Sequence, residues 1–146
     1  VKGQWLRRMI AKKRIVCYNN GNETRQKERI AMIIRAEDRK QTLSEHLRGG
    51  DGTVDKRDYL PERMPENAKM FAEIRLEPGC SIGLHKHTDE YEVFFFQEGE
   101  IVLNDGGEEK VMRPGDFSLC PDGGTHGIAN RTDKPAAVYA AIIRTK

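Results

Sequence analysis

Four side chains in two short segments of this 146-residue chain have the types and spacing to gather around a cation. In Gly79-Cys80-Ser81-Ile82-Gly83-Leu84-His85-Lys86-His87, two histidines flank one lysine. On an extended strand, residues two apart point to the same face, so both imidazoles can converge on one point. After a turn at Thr88 to Tyr91, Glu92 leads the apolar run Val93-Phe94-Phe95-Phe96 that ends at Gly99. A carboxylate buried there without a partner is costly, and an adjacent cation would remove the cost. The further candidate, His126, follows Pro121-Asp122-Gly123-Gly124-Thr125. Three of the chain's four histidines thus sit in these two segments.

Side chains this far apart in sequence meet only if the chain between them folds back repeatedly, and the pattern predicts that it does. Strand-like segments recur at Met70 to Leu76, Ser81 to His87, Glu92 to Gln97, Glu100 to Leu103, Lys110 to Met112, Asp116 to Cys120, Gly127 to Asn130 and Ala136 to Arg144. Between them stand Glu-Pro-Gly-Cys, Asn-Asp-Gly-Gly, Arg-Pro-Gly-Asp, Pro-Asp-Gly-Gly and Thr-Asp-Lys-Pro, all rich in turn formers. Short strands punctuated by Gly and Pro, with no helical segment between them, predict an all-β sandwich or barrel. Upstream, Met32-Ile33-Ile34 is a short apolar stretch, and the residues after it to Leu47 read as polar. Arg48-Gly49-Gly50-Asp51-Gly52 lacks the Gly-Lys-Ser/Thr ending of a phosphate-binding loop and is expected to be a flexible turn.

At this point the chain resembles the cupin superfamily. Gly79, His85, His87, Glu92 and Gly99 fill every slot of the first cupin motif, G-x5-H-x-H-x4-E-x6-G. Gly115, Pro121, Gly123, His126 and Asn130 fill every slot of the second, G-x5-P-x-G-x2-H-x3-N. At ordinary residue frequencies each match has a chance on the order of one in a million per starting point, so two in the right order are not coincidence. The resemblance implies a double-stranded β-helix, the jelly-roll type of barrel, over residues 32 to 146, with His85, His87, Glu92 and His126 as ligands of one metal ion. It also implies turns at Gly79, Gly99, Gly115 and Gly123, and a supporting or strand-end place for Asn130. Glu90 competes for the carboxylate ligand, but it fits neither the spacing from His87 nor that to Gly99, while Glu92 fits both.

Three imidazoles and a carboxylate suit manganese, iron, nickel, copper or zinc, and do not suit calcium or magnesium. Four protein ligands on a six-coordinate ion leave two positions for water, dioxygen or substrate, the mark of a reactive site. The expected function is therefore metal-dependent chemistry on a small oxygenated metabolite, of oxygenase, decarboxylase or isomerase type. The alternative is a non-catalytic barrel that binds or senses a small molecule. No residue beyond the ligands stands out as a general acid or base. Alternation puts Phe94 and Phe96 on the face of Glu92, as cavity wall or as core. Cys80 and Cys120 fill no ligand slot and are expected to act as small hydrophobes. His46, outside both motifs, is expected at the surface.

The bulk numbers set outer bounds. The length suits one domain, and 33% charged against 37% hydrophobic residues suits a compact protein with a large solvated surface. No apolar run approaches the ~18 residues of a membrane span. Three scattered cysteines without C-x-x-C argue against a disulfide framework and for the cytoplasm. Residues 1–31 carry nine Lys or Arg against two Glu, whereas the remainder carries 16 basic against 21 acidic residues. The basicity belongs to this N-terminal extension, and the acidic body predicts no nucleic-acid partner. Within the extension, a short basic amphipathic helix over Gln4 to Arg14 would place Trp5, Leu6, Met9 and Ile10 on one face. A membrane- or partner-binding helix and an arm packed on the barrel are both readings of it. The abrupt change at Met32 favours a third: Met32 as natural start, with the extension outside the natural product. A homodimer paired through its sheets is expected, with Ala136 to Arg144 and Met32 to Ile34 as contributors.

Overall fold

The computed structural model describes residues 33–59 and 65–146. The basic extension, Cys17, Met32 and Leu60 to Met64 lie outside the described residues. The strands run in the order β1 (Lys40–Glu45), β2 (Thr53–Asp58), β3 (Ala68–Leu76), β4 (Ser81–Lys86), β5 (Glu90–Glu98), β6 (Ile101–Asp105), β7 (Glu108–Met112), β8 (Phe117–Cys120), β9 (Thr125–Ala129) and β10 (Ala136–Arg144). They form two antiparallel sheets, one six-stranded in the order β1-β2-β3-β10-β5-β8 and one four-stranded in the order β4-β9-β6-β7. This is the jelly-roll barrel expected of the motifs, an architecture built from two facing sheets.

Alternation drives the packing. Along β5, Glu90, Glu92, Phe94 and Phe96 are buried while Phe95 between them is exposed. The inward residues of both sheets make one core, including Val54, Ile74, Leu76, Phe94, Phe96, Ile101, Leu103, Ile128 and Val138. Full burial of such side chains stabilises by about 1.5–3 kcal/mol each, an upper bound against an extended chain.

The four motif glycines all have left-handed backbone, as their turn roles require. Gly99 shows the constraint most fully: its φ is +71°, and a Cβ there would lie 2.7 Å from the Pro135 carbonyl oxygen. Gly83 is needed for a different reason. A Cβ on it would lie 2.1 Å from the Arg48 carbonyl oxygen, so the 3₁₀ turn Leu47–Gly49 can press against β4 only because position 83 has no side chain. The loop expected to be a flexible turn is thus a turn docked on the strand that carries His85.

Two strands were not expected. Lys40–Glu45 and Thr53–Asp58 pair as a hairpin, with Lys40 opposite Asp58 and Glu45 opposite Thr53. Ile33 and Ile34, by contrast, have no regular structure, and Ile33 is exposed, so these residues add no strand. Asn130, the last residue of the second motif, sits away from the histidines. Its buried amide donates to the Leu76 carbonyl at 2.9 Å and the Lys134 carbonyl at 2.7 Å, and its Oδ1 accepts from Thr132. It clamps the turn between β9 and β10 to the end of β3. Asn130→Ala would strand these groups, and a loss of roughly 2–3 kcal/mol is expected in urea unfolding. Unchanged stability would show that the clamp is dispensable.

Candidate metal centre

His85 lies on β4 and His126 on β9, directly opposite each other across the antiparallel pair. Glu92 comes from β5, in the other sheet, so the site bridges the two layers. His87 follows the last residue of β4, and its backbone is pinned on both sides. Its N–H donates to the Gly124 carbonyl at 3.0 Å, and its carbonyl accepts from the Gly123 N–H at 2.9 Å. The Pro-Asp-Gly-Gly turn of the second motif therefore fixes a histidine of the first.

The structure brings all four side chains together, each offering one ligand atom, with those atoms all within 4.8 Å of one another. Glu92 Oε2 lies 2.8 Å from His126 Nε2, 3.1 Å from His87 Nε2 and 3.6 Å from His85 Nε2. Atoms about 2.0–2.2 Å from a shared ion are spaced in this way. His87, Glu92 and His126 are buried, and His85 is only half-buried.

The partners of the distal nitrogens test whether this cluster fits a cation. His85 Nδ1–H donates to the Gly83 carbonyl at 2.9 Å, and His87 Nδ1–H donates to Glu90 Oε1 at 3.0 Å. Both partners can only accept, so Nδ1 carries the proton and Nε2 is left with a lone pair when the ring is neutral. Those lone pairs point at the oxygen of a buried carboxylate. Only a positive charge between them, a proton or a metal ion, reconciles that arrangement, so the donor set fits a transition metal. His126 Nδ1 is buried and has no hydrogen-bond partner among the described residues.

The titration of these groups follows from the same geometry. Burial by itself would raise the Glu92 carboxyl, but hydrogen bonds from His126, His85 and His87 outweigh it and hold the group far below the ordinary carboxylate range. The hydrogen bond to Glu92 is the largest influence on His87. With help from Glu90 it overcomes the opposing effect of burial and raises that imidazole above 6.5.

The surroundings sort the remaining residues. Phe94 stacks on His126, with centroids 4.9 Å apart and ring planes 13° apart, so it walls the cluster; Phe96 meets Phe94 edge-on in the core. Cys120 is a buried thiol raised by desolvation, and half-buried Cys80 packs on the core. His46 is exposed. Glu90 is the residue whose part the spacing did not reveal. It is not among the four gathered ligand atoms but bonds the back of His87 and, at 2.7 Å, Lys69 Nζ. The alternation that buries Glu92 also buries Glu90, and that was the available signal.

Comparison with known proteins agrees with this geometry. A sequence family described as a cupin domain matches residues 72–142. An oxalate-binding protein of Thermotoga maritima is 34% identical over 118 residues, covering 80% of this chain and 98% of the relative. A solved structure from T. maritima, described as a predicted oxalate decarboxylase, is 33% identical with a TM-score of 0.74, covering 77% of this chain and 99% of that one. A sugar phosphate isomerase of the cupin superfamily from Silicibacter pomeroyi is 32% identical with a TM-score of 0.57, covering 63% of this chain and 60% of that one.

Proposed function

This chain belongs to the cupin family, and we propose that it is a metal-dependent protein acting on a small carboxylic metabolite of the oxalate class. In this reading His85, His87, Glu92 and His126 hold one divalent transition metal (manganese, iron, zinc, nickel or copper), and residues 32–146 form the barrel that carries it. The observation behind it is the convergence of three imidazole nitrogens on one buried carboxylate oxygen, with two of the rings set to offer lone pairs. The oxalate-binding relative, matched over nearly its whole length, supports the ligand class. Such an ion, when bound, supplies Lewis acidity and, for manganese, iron or copper, a redox couple. The chain's own part is to fix the donors, to exclude water behind His126 with the Phe94 ring, and to leave the half-buried His85 side as the approach for ligand. Titration calorimetry tests this: oxalate should bind the metal-loaded protein and not the metal-free one. Equal binding to both would overturn the reading.

Conversion of the bound acid to carbon dioxide and formate is the enzymatic form of this proposal. Binding without turnover is the second reading, and one observation favours it. Among the described residues, the only titratable side chain bonded to the cluster from outside is Glu90, whose two oxygens are both engaged. Formate production from oxalate by the loaded protein decides between them.

A homodimer paired through the outer face of the six-stranded sheet is part of the same proposal. There Phe95 and Phe117 stack with centroids 5.0 Å apart beside Leu119, and all three are about half exposed. Apolar side chains grouped on one sheet face mark an interaction surface. Wild-type protein is expected to have a dimer mass in light scattering, and Phe95→Glu a monomer mass. A wild-type monomer would refute the pairing. The free Cys80 and Cys120 support a reducing, cytoplasmic setting. No helix among the described residues is long and apolar enough to cross a membrane, and the acidic body supports no nucleic-acid role.

A further inference from the structure

The three histidines are held in three different ways. His85 Nδ1 is bonded to a backbone carbonyl, His126 Nδ1 has no partner among the described residues, and His87 Nδ1 alone is bonded to a side-chain carboxylate. That carboxylate, Glu90, is buried, which would be costly if it were unpaired. One oxygen takes the His87 N–H at 3.0 Å and the other takes Lys69 Nζ at 2.7 Å. The lysine reaches it from β3 across the end of β10, where Arg144 pairs with Glu90 and Ile143 with Ala68. With both oxygens engaged, the carboxylate cannot turn away from the ring. Pairing the buried carboxylate would need only the exposed Lys69, so the bond to His87 is the feature that calls for a functional account.

We infer that Glu90 is a positioning residue for the metal centre: it holds the His87 ring in orientation and tautomer through Nδ1, while Lys69 fixes the carboxylate from the far side. This rests on the metal-site reading above. An anionic acceptor behind a ligating imidazole also makes it a stronger donor, and loss of such a partner typically costs about 10–100-fold in metal affinity.

The test uses the full chain and cobalt(II) as probe, with affinity read by competition against a chromophoric chelator. Glu90→Ala is expected to bind about 10–100-fold more weakly than wild type. Glu90→Gln keeps an acceptor oxygen at the same reach and should recover most of that loss, and its cobalt visible spectrum should match wild type where that of Glu90→Ala shifts. Lys69→Met should cost less than Glu90→Ala and add nothing to it in the double variant, because it acts through the same carboxylate. Glu90→Val, a strand former without an acceptor, replaces Glu90→Ala should the latter not fold. A purely structural role would lower the unfolding temperature and leave affinity and spectrum unmoved, and that result overturns the inference. So does Glu90→Gln losing as much as Glu90→Ala. Wild-type protein that binds no cobalt or any other transition metal overturns the metal reading and this inference together, whereas a binding wild type with an unaffected Glu90→Ala overturns the inference alone.

Discussion

Glu92→Gln is expected to lose about 1,000-fold or more in affinity for a divalent transition metal while keeping its β-sheet circular dichroism. The substitution preserves side-chain shape, so the core around Phe94 is undisturbed. What disappears is the anionic donor on which three imidazoles converge at 2.8–3.6 Å. A partner behind a ligand is typically worth about 10–100-fold, and a charged donor in direct contact with the ion is expected to be worth more. His126→Ala should match it in affinity but not in stability, since it also removes the ring stacked on Phe94. Chelator competition on both variants measures this. Glu92→Gln binding within tenfold of wild type would mean that the carboxylate is not a ligand.

The second large effect is the stabilisation by metal and its dependence on pH. The bonds to Glu92 and Glu90 raise His87 above 6.5. Its contribution to stability is therefore fully present below 6.5 and fades as pH rises through the raised value. The Glu92 carboxyl is depressed from 4.5, so its contribution is present above 4.5 and is lost as pH falls toward the depressed value. In the proposed site the metal takes the His87 lone pair, so at acidic pH the ion would have to displace a proton. Each proton displaced weakens apparent affinity about tenfold per pH unit below the group's own value. At a hundredfold excess over the dissociation constant a ligand stabilises by about 2.7 kcal/mol. The gain in melting temperature at fixed metal concentration should therefore grow from pH 6 to pH 8. A gain that is flat, or larger at pH 6, would contradict the assignment of His87.

The parts of this protein that show in its sequence are those where a residue type has few alternatives. The clustering of His85, His87, Glu92 and His126 and the left-handed glycines at 79, 99, 115 and 123 are of this kind, and β10 runs over Ala136–Arg144 as the apolar run implies. The missed strands β1 and β2 read Lys-Gln-Thr-Leu-Ser-Glu and Thr-Val-Asp-Lys-Arg-Asp. They lie at one edge of the sheet and bury little beyond Val54, so charge masks their alternation. The turn expected at Thr88 to Tyr91 is tighter than expected. Asp89 has φ +59° and β5 begins at Glu90, which brings Glu90 into the alternation with Glu92. The partners of the imidazole nitrogens were not legible because local backbone geometry sets them: Gly83 offers a carbonyl two residues before His85, and the tight turn at Asp89 brings Glu90 behind His87. Lys69 meets Glu90 only across the strand that lies between them.

One ion shared by four side chains from two sheets underlies each of these expectations. Anomalous diffraction at the absorption edge of the metal, on crystals of the loaded protein, tests it most directly. A single strong peak is expected about 2.0–2.2 Å from the Nε2 atoms of His85, His87 and His126 and from a carboxylate oxygen of Glu92. A peak elsewhere on the barrel, or none among these four side chains, would contradict it.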